Sequence, residues 1–484
     1  MNNDQRPRVS LPIEIKIREL DGKFWLALHL ARAGYTVTLG DKGVIRRNVQ
    51  SLDPDIYFGL GPVKRTSRKL LFEHLREAGR SSLVLYTEGG AFRNKTSTFA
   101  RLHSDEILSL CDGYIAWGQK SADIVSQASS LKRDSIHITG TPEFDLLHED
   151  LREFYKDNSV IGEDLDDFIL VNTNFPSVNP FDGDPQGNAR IIKDRDKDEF
   201  EHSMFTTMLD GIERIAEGVD SPLVIRPHQG EHHDTYREKF KHFSNVRVIH
   251  RGSVRHWLYS ASVVIHNNCT TGIEGALLQK PVLAYVPEEY PDFEHLSNRV
   301  SHKIRTGDEL LTAVRECVNG NPEPYLTDED RTSLLKTHLE NLDGKAAQRI
   351  TEAIDNVVTE RSSSEIEPIH TGSLKKLTKK WLRNWFGEAA VKRIQYIRKG
   401  NSAVQYFKRS AEVLQLMKKG ESPEMKSDQK FPGLDRHELV ERLRKIQKIT
   451  SGFEQIKIDS IDSMPDVFTI YQSSDEACTS GDSF

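Results

Sequence analysis

Three short segments carry residues whose types and spacing suit chemistry on a phosphorylated, hydroxyl-bearing ligand. The first is Tyr86-Thr87-Glu88-Gly89-Gly90, at the end of the apolar run 82–86. A carboxylate at a strand end can take a proton from a hydroxyl, the task of a general base. Gly89 and Gly90 permit a tight turn and close approach of a ligand. The plainer reading is an exposed turn glutamate. The second segment is Arg226-Pro227-His228-Gln229-Gly230, after the apolar run 222–225. Arg226 and His228 can both donate to phosphate oxygens, and a protonated His228 can assist departure of a phosphate leaving group. Its plainer reading is a solvated strand end. The third runs from Ile265 to Leu277, where His266, Asn267 and Asn268 end a strand and Thr270 and Thr271 precede an apolar helix. Asn268, the two hydroxyls, free backbone N–H groups and the helix dipole make a phosphate cradle there. Glu274, one turn in, can take the hydroxyls of a ribose. N-capping by Thr270 or Thr271 is the plainer reading, and it is compatible with phosphate binding.

Other residues follow strands and point to the same edge. Arg18, Glu19 and Asp21 follow the first strand, and Asn172 and Asn174 end the strand 167–172; all are candidates to line a cleft. His228, Glu231 and His232 also spell H-x-x-E-H, a zinc-hydrolase pattern. That pattern needs a helix to bring both imidazoles to one face, and Pro227 and Gly230 favour a loop. No metal site and no resident cofactor is expected. Cys269 reads as a site-lining residue, because no base partner is evident.

The elements that must position these residues alternate. Strand-like runs fall at 11–17, 35–39, 55–58, 82–86, 113–117 and 136–138, with helical segments at 22–33, 65–79, 97–110 and 119–129. The rhythm restarts with strands at 167–172, 222–226, 245–249, 262–266 and 281–286 and helices at 197–217, 254–260, 271–278 and 307–319. This β–α alternation predicts an α/β fold of two mostly parallel sheets with helices on both faces. The chain of 484 residues divides into a first Rossmann-like lobe (1–150), a second (165–360), a basic helical extension (370–460) and a tail (461–484). Ligands of such sheets bind outside the carboxyl ends of the strands, where all three segments fall.

Net charge and cysteine usage exclude several classes. The chain carries −7 overall, yet residues 371–420 hold 13 Lys/Arg against Glu388 and Glu412, leaving −18 for the remainder. A uniformly basic nucleic-acid binder does not look like this. The basic stretch contains Trp381, Trp385 and Phe386, and the span 373–419 suits an anionic membrane surface or a packed helical arm. Four separated cysteines without a CxxC pair argue for reduced thiols and a cytoplasmic setting. No signal peptide and no uncharged apolar run of about 18 residues is visible.

Taken together, PIEIKIRELDGKFWLA (12–27), YTEGG (86–90), ILVNTNF (169–175), RPHQGEH (226–232) and HNNCTTGIEGALLQKPVLAY (266–285) resemble the bacterial surface-carbohydrate-biosynthesis proteins over roughly residues 10–350. That family is similar to the GT-B group, with CMP-sugar transferases, CDP-glycerol glycerophosphotransferases and UDP-N-acetylglucosamine 2-epimerases among its relatives. The resemblance implies transfer of a sugar from a nucleotide-activated donor, a CMP-sugar foremost, to a glycan or lipid-linked acceptor without a metal. It implies that Glu88 is the general base, although Thr87 stands where such transferases carry a first acid. It implies that His228 contacts the nucleotide phosphates and acts as acid, with Gln229 in place of a proline. Thr270-Thr271 match a hydroxyl pair on the phosphate, and Glu274 sits where epimerase-like proteins hold the ribose. An epimerase or hydrolase, a CDP-glycerol-type phosphotransferase and a non-catalytic binding protein on the same fold remain the alternatives.

Overall fold

Apolar runs of four to six residues form the centres of two parallel sheets. The computed structural model describes residues 6–61, 63, 66–86, 99, 103–162, 165, 167–181, 195–290, 295–326, 329–339, 341–363 and 430–473. The first sheet holds β1 (Arg8–Ile13), β2 (Thr36–Asp41), β3 (Ile56–Leu60), β4 (Ser81–Leu85), β5 (Gly113–Ala116) and β6 (Ile136–Ile138). The second holds β7 (Ile169–Asn172), β8 (Leu223–Arg226), β9 (Val246–Val248), β10 (Val263–His266), β11 (Val282–Tyr285) and β12 (His302–Ile304). The longer helices are α1 (Lys16–Arg32), α2 (Lys42–Arg47), α3 (Thr66–Glu77), α4 (Gln119–Ala128), α5 (Arg195–Gly218), α6 (His233–Phe240), α7 (Val254–Ser260), α8 (Thr271–Leu277), α9 (Gly307–Val318), α10 (Glu329–Leu339), α11 (Ala346–Ser363) and α12 (Arg436–Ile449).

Both sheets are wound from the middle. In the first, β2 lies on one side of β1 and the chain then crosses to put β3 on the other; β4, β5 and β6 follow. In the second, β8 and β9 extend from one side of β7, and β10, β11 and β12 from the other. The winding direction therefore reverses between β1 and β3 and between β7 and β10. These reversals open crevices at the carboxyl ends of the strands.

Two expected boundaries move. The first strand, expected over 11–17, ends at Ile13, and the helix expected from 22 starts at Lys16. Ile15 caps α1 in an extended conformation (φ −121°, ψ 100°), so the alternation of buried Leu11, Ile13 and Ile15 continues past the strand into the cap. The C-terminal region differs more. Helix α11 packs on α1 of the first lobe, with the Tyr35 hydroxyl bonded to Asp355. The range expected as a helical extension and tail instead holds α12 and an antiparallel hairpin, β13 (Ile456–Ser460) and β14 (Val467–Gln472). Strand β14 pairs antiparallel with β2, Ile470 opposite Val37, and completes an eight-stranded sheet. Ile456, Ile458, Phe468 and Ile470 bury one face of this hairpin against the first lobe, and Val467 packs into the core on the other face of the sheet. The backbone of Asp466 comes so close to Gly40 that a Cβ there would sit 2.2 Å from its carbonyl oxygen.

The edge hairpin should therefore matter for stability. Ile470→Ala removes a fully buried side chain and should cost about 2–5 kcal/mol, read as a lowered urea midpoint at unchanged slope. An unchanged midpoint would show that the hairpin is not part of the cooperative unit.

Candidate functional site

The second-lobe crevice is built by two asparagine-rich strand ends and by Asn298 of the short helix Leu296–Arg299. Asn172 and His266 are register partners at the ends of β7 and β10. Asn268 sits in the left-handed region (φ 47°), which asparagine tolerates better than most residues. Asn298 holds it there: its Oδ1 accepts the Asn268 N–H at 3.1 Å and its amide donates to Asn268 Oδ1 at 2.5 Å. Asn174 ties the neighbouring loop in, its N–H donating to Asn267 Oδ1 and its amide to the Asn268 carbonyl, both at 3.2 Å. Asn174 and Asn268 thus set the shape of the crevice, and Asn298, far away in sequence, is a member that no motif announces.

What this lattice leaves open is informative. The Asn172 amide nitrogen and the Thr271 hydroxyl are buried, at 3% and 6% residue exposure, and make no hydrogen bond of ordinary geometry among the described residues. The weakly polar Cys269 thiol, its pKa raised by burial, lies beside Thr271. Thr270 caps α8 through its backbone position and not through its side chain, and stays exposed. Burial pushes His266 down to about 3, so its ring is neutral. Its Nε2 meets Ser301 Oγ at 2.9 Å, and that hydroxyl donates onward to the Ser297 carbonyl. The ring proton is therefore assigned to Nε2, and Nδ1 is a bare acceptor.

The loop after β8 is fixed by Glu231. Its buried carboxylate accepts the Thr173 hydroxyl at 2.8 Å, the His228 N–H at 2.9 Å and the Tyr236 hydroxyl. Burial raises its pKa against these donors. The H-x-x-E-H run is a loop that ends where α6 begins, and its glutamate is a strut. His228 is half-buried, and its Nδ1 accepts the Gly230 N–H at 3.1 Å, which assigns the ring proton to Nε2.

Two expected ligand groups hold the frame instead. Arg226, 4% exposed, donates to the carbonyls of Arg251 (2.8 Å) and Gly252 (2.6 Å) and lies 5.6 Å from the Trp257 ring centre. Burial lowers it to about 9. Glu274 is taken by Arg255, which donates Nε to its carboxylate at 2.8 Å. The sequence places Arg226 and Glu274 at the right edge of the sheet, but their partners lie on α7 and the loop before it.

Arg255 also reaches the first lobe, donating to the Arg18 carbonyl at 3.0 Å, so Arg18 lies where the lobes meet. Glu19 does not line the cleft. It is buried, accepts the N–H groups of Glu14 (3.1 Å) and Ile15 (3.2 Å), and pairs with Lys23 at 2.7 Å. Burial opposes its ionisation, yet Lys23 and Arg18 hold its pKa below the usual range. Asp21 is buried against Arg442 of α12 at 3.0 Å. Glu88, Gly89 and Gly90 lie outside the described residues, as does the basic span 373–419. A cavity of about 480 Å³ lies elsewhere, between Thr141, His148, Arg152, Gln279, Lys336 and Asn341, at the back of the joint. Among the described residues, no group of three His, Cys, Asp or Glu is placed to hold a metal, and no helix is long and apolar enough to cross a membrane.

No family model and no curated protein matches the chain. Solved structures do. The wall teichoic acid polymerase TagF aligns with a TM-score of 0.50 at 11% identity, over 74% of this chain and 90% of that one. S. aureus MnaA, solved with UDP, gives 0.47 at 13% identity over 73% and 97%. The Methanocaldococcus jannaschii UDP-GlcNAc 2-epimerase, in complex with UDP-GlcNAc and UDP, gives 0.46 at 11% identity over 73% and 100%. The likeness to TagF agrees with the two wound sheets described above: the fold is of GT-B type, two Rossmann-like lobes facing a cleft.

The framing role of Glu274 is testable. Arg255→Met strands a buried carboxylate and should cost about 3–5 kcal/mol, while Arg255→Met/Glu274→Met should recover most of that loss in chemical denaturation. Additive losses would mean that the two side chains do not depend on each other.

Proposed function

We propose that the protein is an enzyme of surface polysaccharide or lipopolysaccharide synthesis that moves a sugar from a nucleotide donor, a CMP-sugar foremost, to a glycan or lipid-linked acceptor. The observation that carries this reading is the second-lobe crevice: at the β7/β10 reversal, the buried Asn172 amide has no partner among the described residues and the buried Thr271 hydroxyl has only the weak Cys269 thiol. A buried polar group without a partner costs about 1–3 kcal/mol, and an anionic ligand at the start of α8 would recover it. In this reading Thr270, Thr271, Asn172 and the Nε2–H of His228 take the donor phosphates; once Nδ1 leaves the Gly230 N–H and takes up a proton, the imidazolium gives its Nε2 proton to the leaving group and returns to the neutral ring. Glu88 of the first lobe takes the proton of the acceptor hydroxyl. No step calls for a metal.

A panel of CMP, CDP, UDP and GDP tests the crevice by thermal shift. Saturation at 100 times Kd adds about 2.7 kcal/mol and should raise the melting temperature by roughly 5 °C. The preferred nucleotide should lose its shift in Thr271→Val, and Glu88→Gln should keep the shift while losing turnover. No shift with any of the four nucleotides would end the donor reading, and a fully active Glu88→Gln would end the assignment of the base. A CDP-specific shift would favour CDP-glycerol-type phosphotransfer, and turnover of UDP-GlcNAc without an acceptor would favour epimerisation or hydrolysis.

The basic span 373–419 fits an anionic membrane surface through its Lys/Arg excess and its Trp381, Trp385 and Phe386. Deletion of 366–428 keeps both α11 and the C-terminal hairpin. The deleted protein should pellet with phosphatidylglycerol-containing vesicles several-fold less than the full chain. Equal pelleting would rule the span out as the anchor.

A further inference from the structure

The first-lobe reversal between β1 and β3 gathers cations. Lys42 opens α2 directly after β2, and Arg46 follows one turn on, so both side chains share a helix face. Arg68, in the first turn of α3, donates to the carbonyl of Gly61, just past β3. Lys430, in the chain that returns to the first lobe, lies 3.9 Å from Glu14, the residue that follows β1. Lys42 pairs with the same Glu14 oxygen at 2.7 Å. Lys42, Arg46 and Arg68, with Tyr57, Leu60, Leu71 and Phe72, line a small cavity of about 40 Å³.

Among the described residues the charges here do not balance. Three carboxylates are at hand, Glu14, Asp41 and Glu19, and Glu19 is already paired with Lys23. Asp41 is spent on capping α2 through the Val44 N–H at 2.7 Å. Glu14 serves Lys42 and Lys430 together; burial opposes its ionisation, yet Lys42, Lys430 and Arg68 hold it at about 2. Arg46 makes no hydrogen bond or ion pair among the described residues. It shares the neighbourhood of the buried Tyr57 with Arg68, so two guanidinium groups flank one phenol. Arg46 also sits in the last turn of α2, where a cation suits the helix dipole. That accounts for its charge but not for its convergence with Lys42 and Arg68 on one cavity. Like charges brought together at a half-buried site repel unless an anion joins them.

We propose that Lys42, Arg46, Arg68 and Lys430 form an oxyanion receptor in the first lobe that takes a phosphate group of the acceptor. The planar Arg46 and Arg68 groups suit bidentate contact with phosphate oxygens, and the lysines supply point charges. The pocket opens at the carboxyl edge of β1–β3, beside the β4 strand that leads to Glu88. The assignment to the acceptor rests on the transferase reading; the anion site itself does not.

The test uses the full chain and glycerol 1-phosphate, titrated calorimetrically at low and high salt. The parent should bind in the millimolar range, more weakly at high salt. Arg46→Gln should bind about tenfold more weakly, Arg46→Lys should lie between, and Thr271→Val should bind like the parent. Melting curves of each variant report its folding, and nucleotide shifts report the second-lobe site separately. Pelleting with phosphatidylcholine vesicles, with and without phosphatidic acid, reads the source of the phosphate. If Arg46→Gln also loses the gain in pelleting from phosphatidic acid, the receptor takes a lipid phosphate. If that gain is unchanged while glycerol 1-phosphate binding falls, it takes a phosphate on a soluble glycan. The proposal is overturned if Arg46→Gln binds glycerol 1-phosphate as well as the parent, if the parent binds none, or if Thr271→Val abolishes the binding.

Discussion

A guanidinium taken out of water must be met by charge and by acceptors, or it costs several kcal/mol. Arg255 is the point where this rule binds the two lobes together. It takes its charge partner, Glu274, from α8 of its own lobe and an acceptor, the Arg18 carbonyl, from the other. Asp21 presents the converse problem from the first lobe. Its buried carboxylate is met by Arg442 from α12, and burial notwithstanding, Arg442, His256 and Arg255 keep its pKa below the usual range. Moving one lobe against the other would break contacts that neither lobe can replace alone. The joint is thus specified by polar pairing, while the apolar cores supply most of the stability around it.

This constraint decides which polar groups a ligand can use. Arg226, Glu231 and Glu274 all look like ligand residues in the sequence, and each is spent on holding a loop or the joint. Groups that are spent in this way make the remainder stiff. Asn174, Asn268 and Asn298 form one lattice across two loops and the short helix Leu296–Arg299, and α8 starts from it. Asn172 and Thr271 then stand at fixed positions, the Asn172 amide without a partner among the described residues and the Thr271 hydroxyl with only the Cys269 thiol. The first lobe solves a different problem with the same material. There the helices after β2 and β3 bring cations to the strand ends, and Glu14 offsets part of their charge.

Most of the fold is legible in the sequence because parallel strands are buried on both faces and read as short apolar runs. The strands from β2 to β11 lie within two residues of their runs for that reason. β1 is displaced because Ile15 extends the alternation into a helix cap. β12 is three residues long and half-exposed, so it has no apolar run to show. The C-terminal hairpin carries its own signal in Ile456-Lys457-Ile458 and Phe468-Thr469-Ile470, but a basic composition upstream masks it. The site is legible only as far as its edge. Residue type and strand position bring Asn172, His228, Thr270 and Thr271 to one crevice. They do not reveal that Arg255 claims Glu274 or that backbone carbonyls claim Arg226, because those partners are set by packing between elements distant in sequence.

The C-terminal hairpin changes what the basic stretch can mean. A tail could carry its charge anywhere within reach of one attachment. Here the chain leaves from α11, packed on α1, and returns at Lys430 and the buried Phe431, again on the first lobe. Residues 364–429 are therefore an insertion between two anchors on one lobe. Lys430, the first described residue after that insertion, reaches Glu14 at the receptor cluster. The same return of the chain places Arg442 on Asp21 and Lys445 on Asp157, at the joint. One C-terminal segment thus ties together the edge of the first sheet, its cationic pocket and the contact with the second lobe.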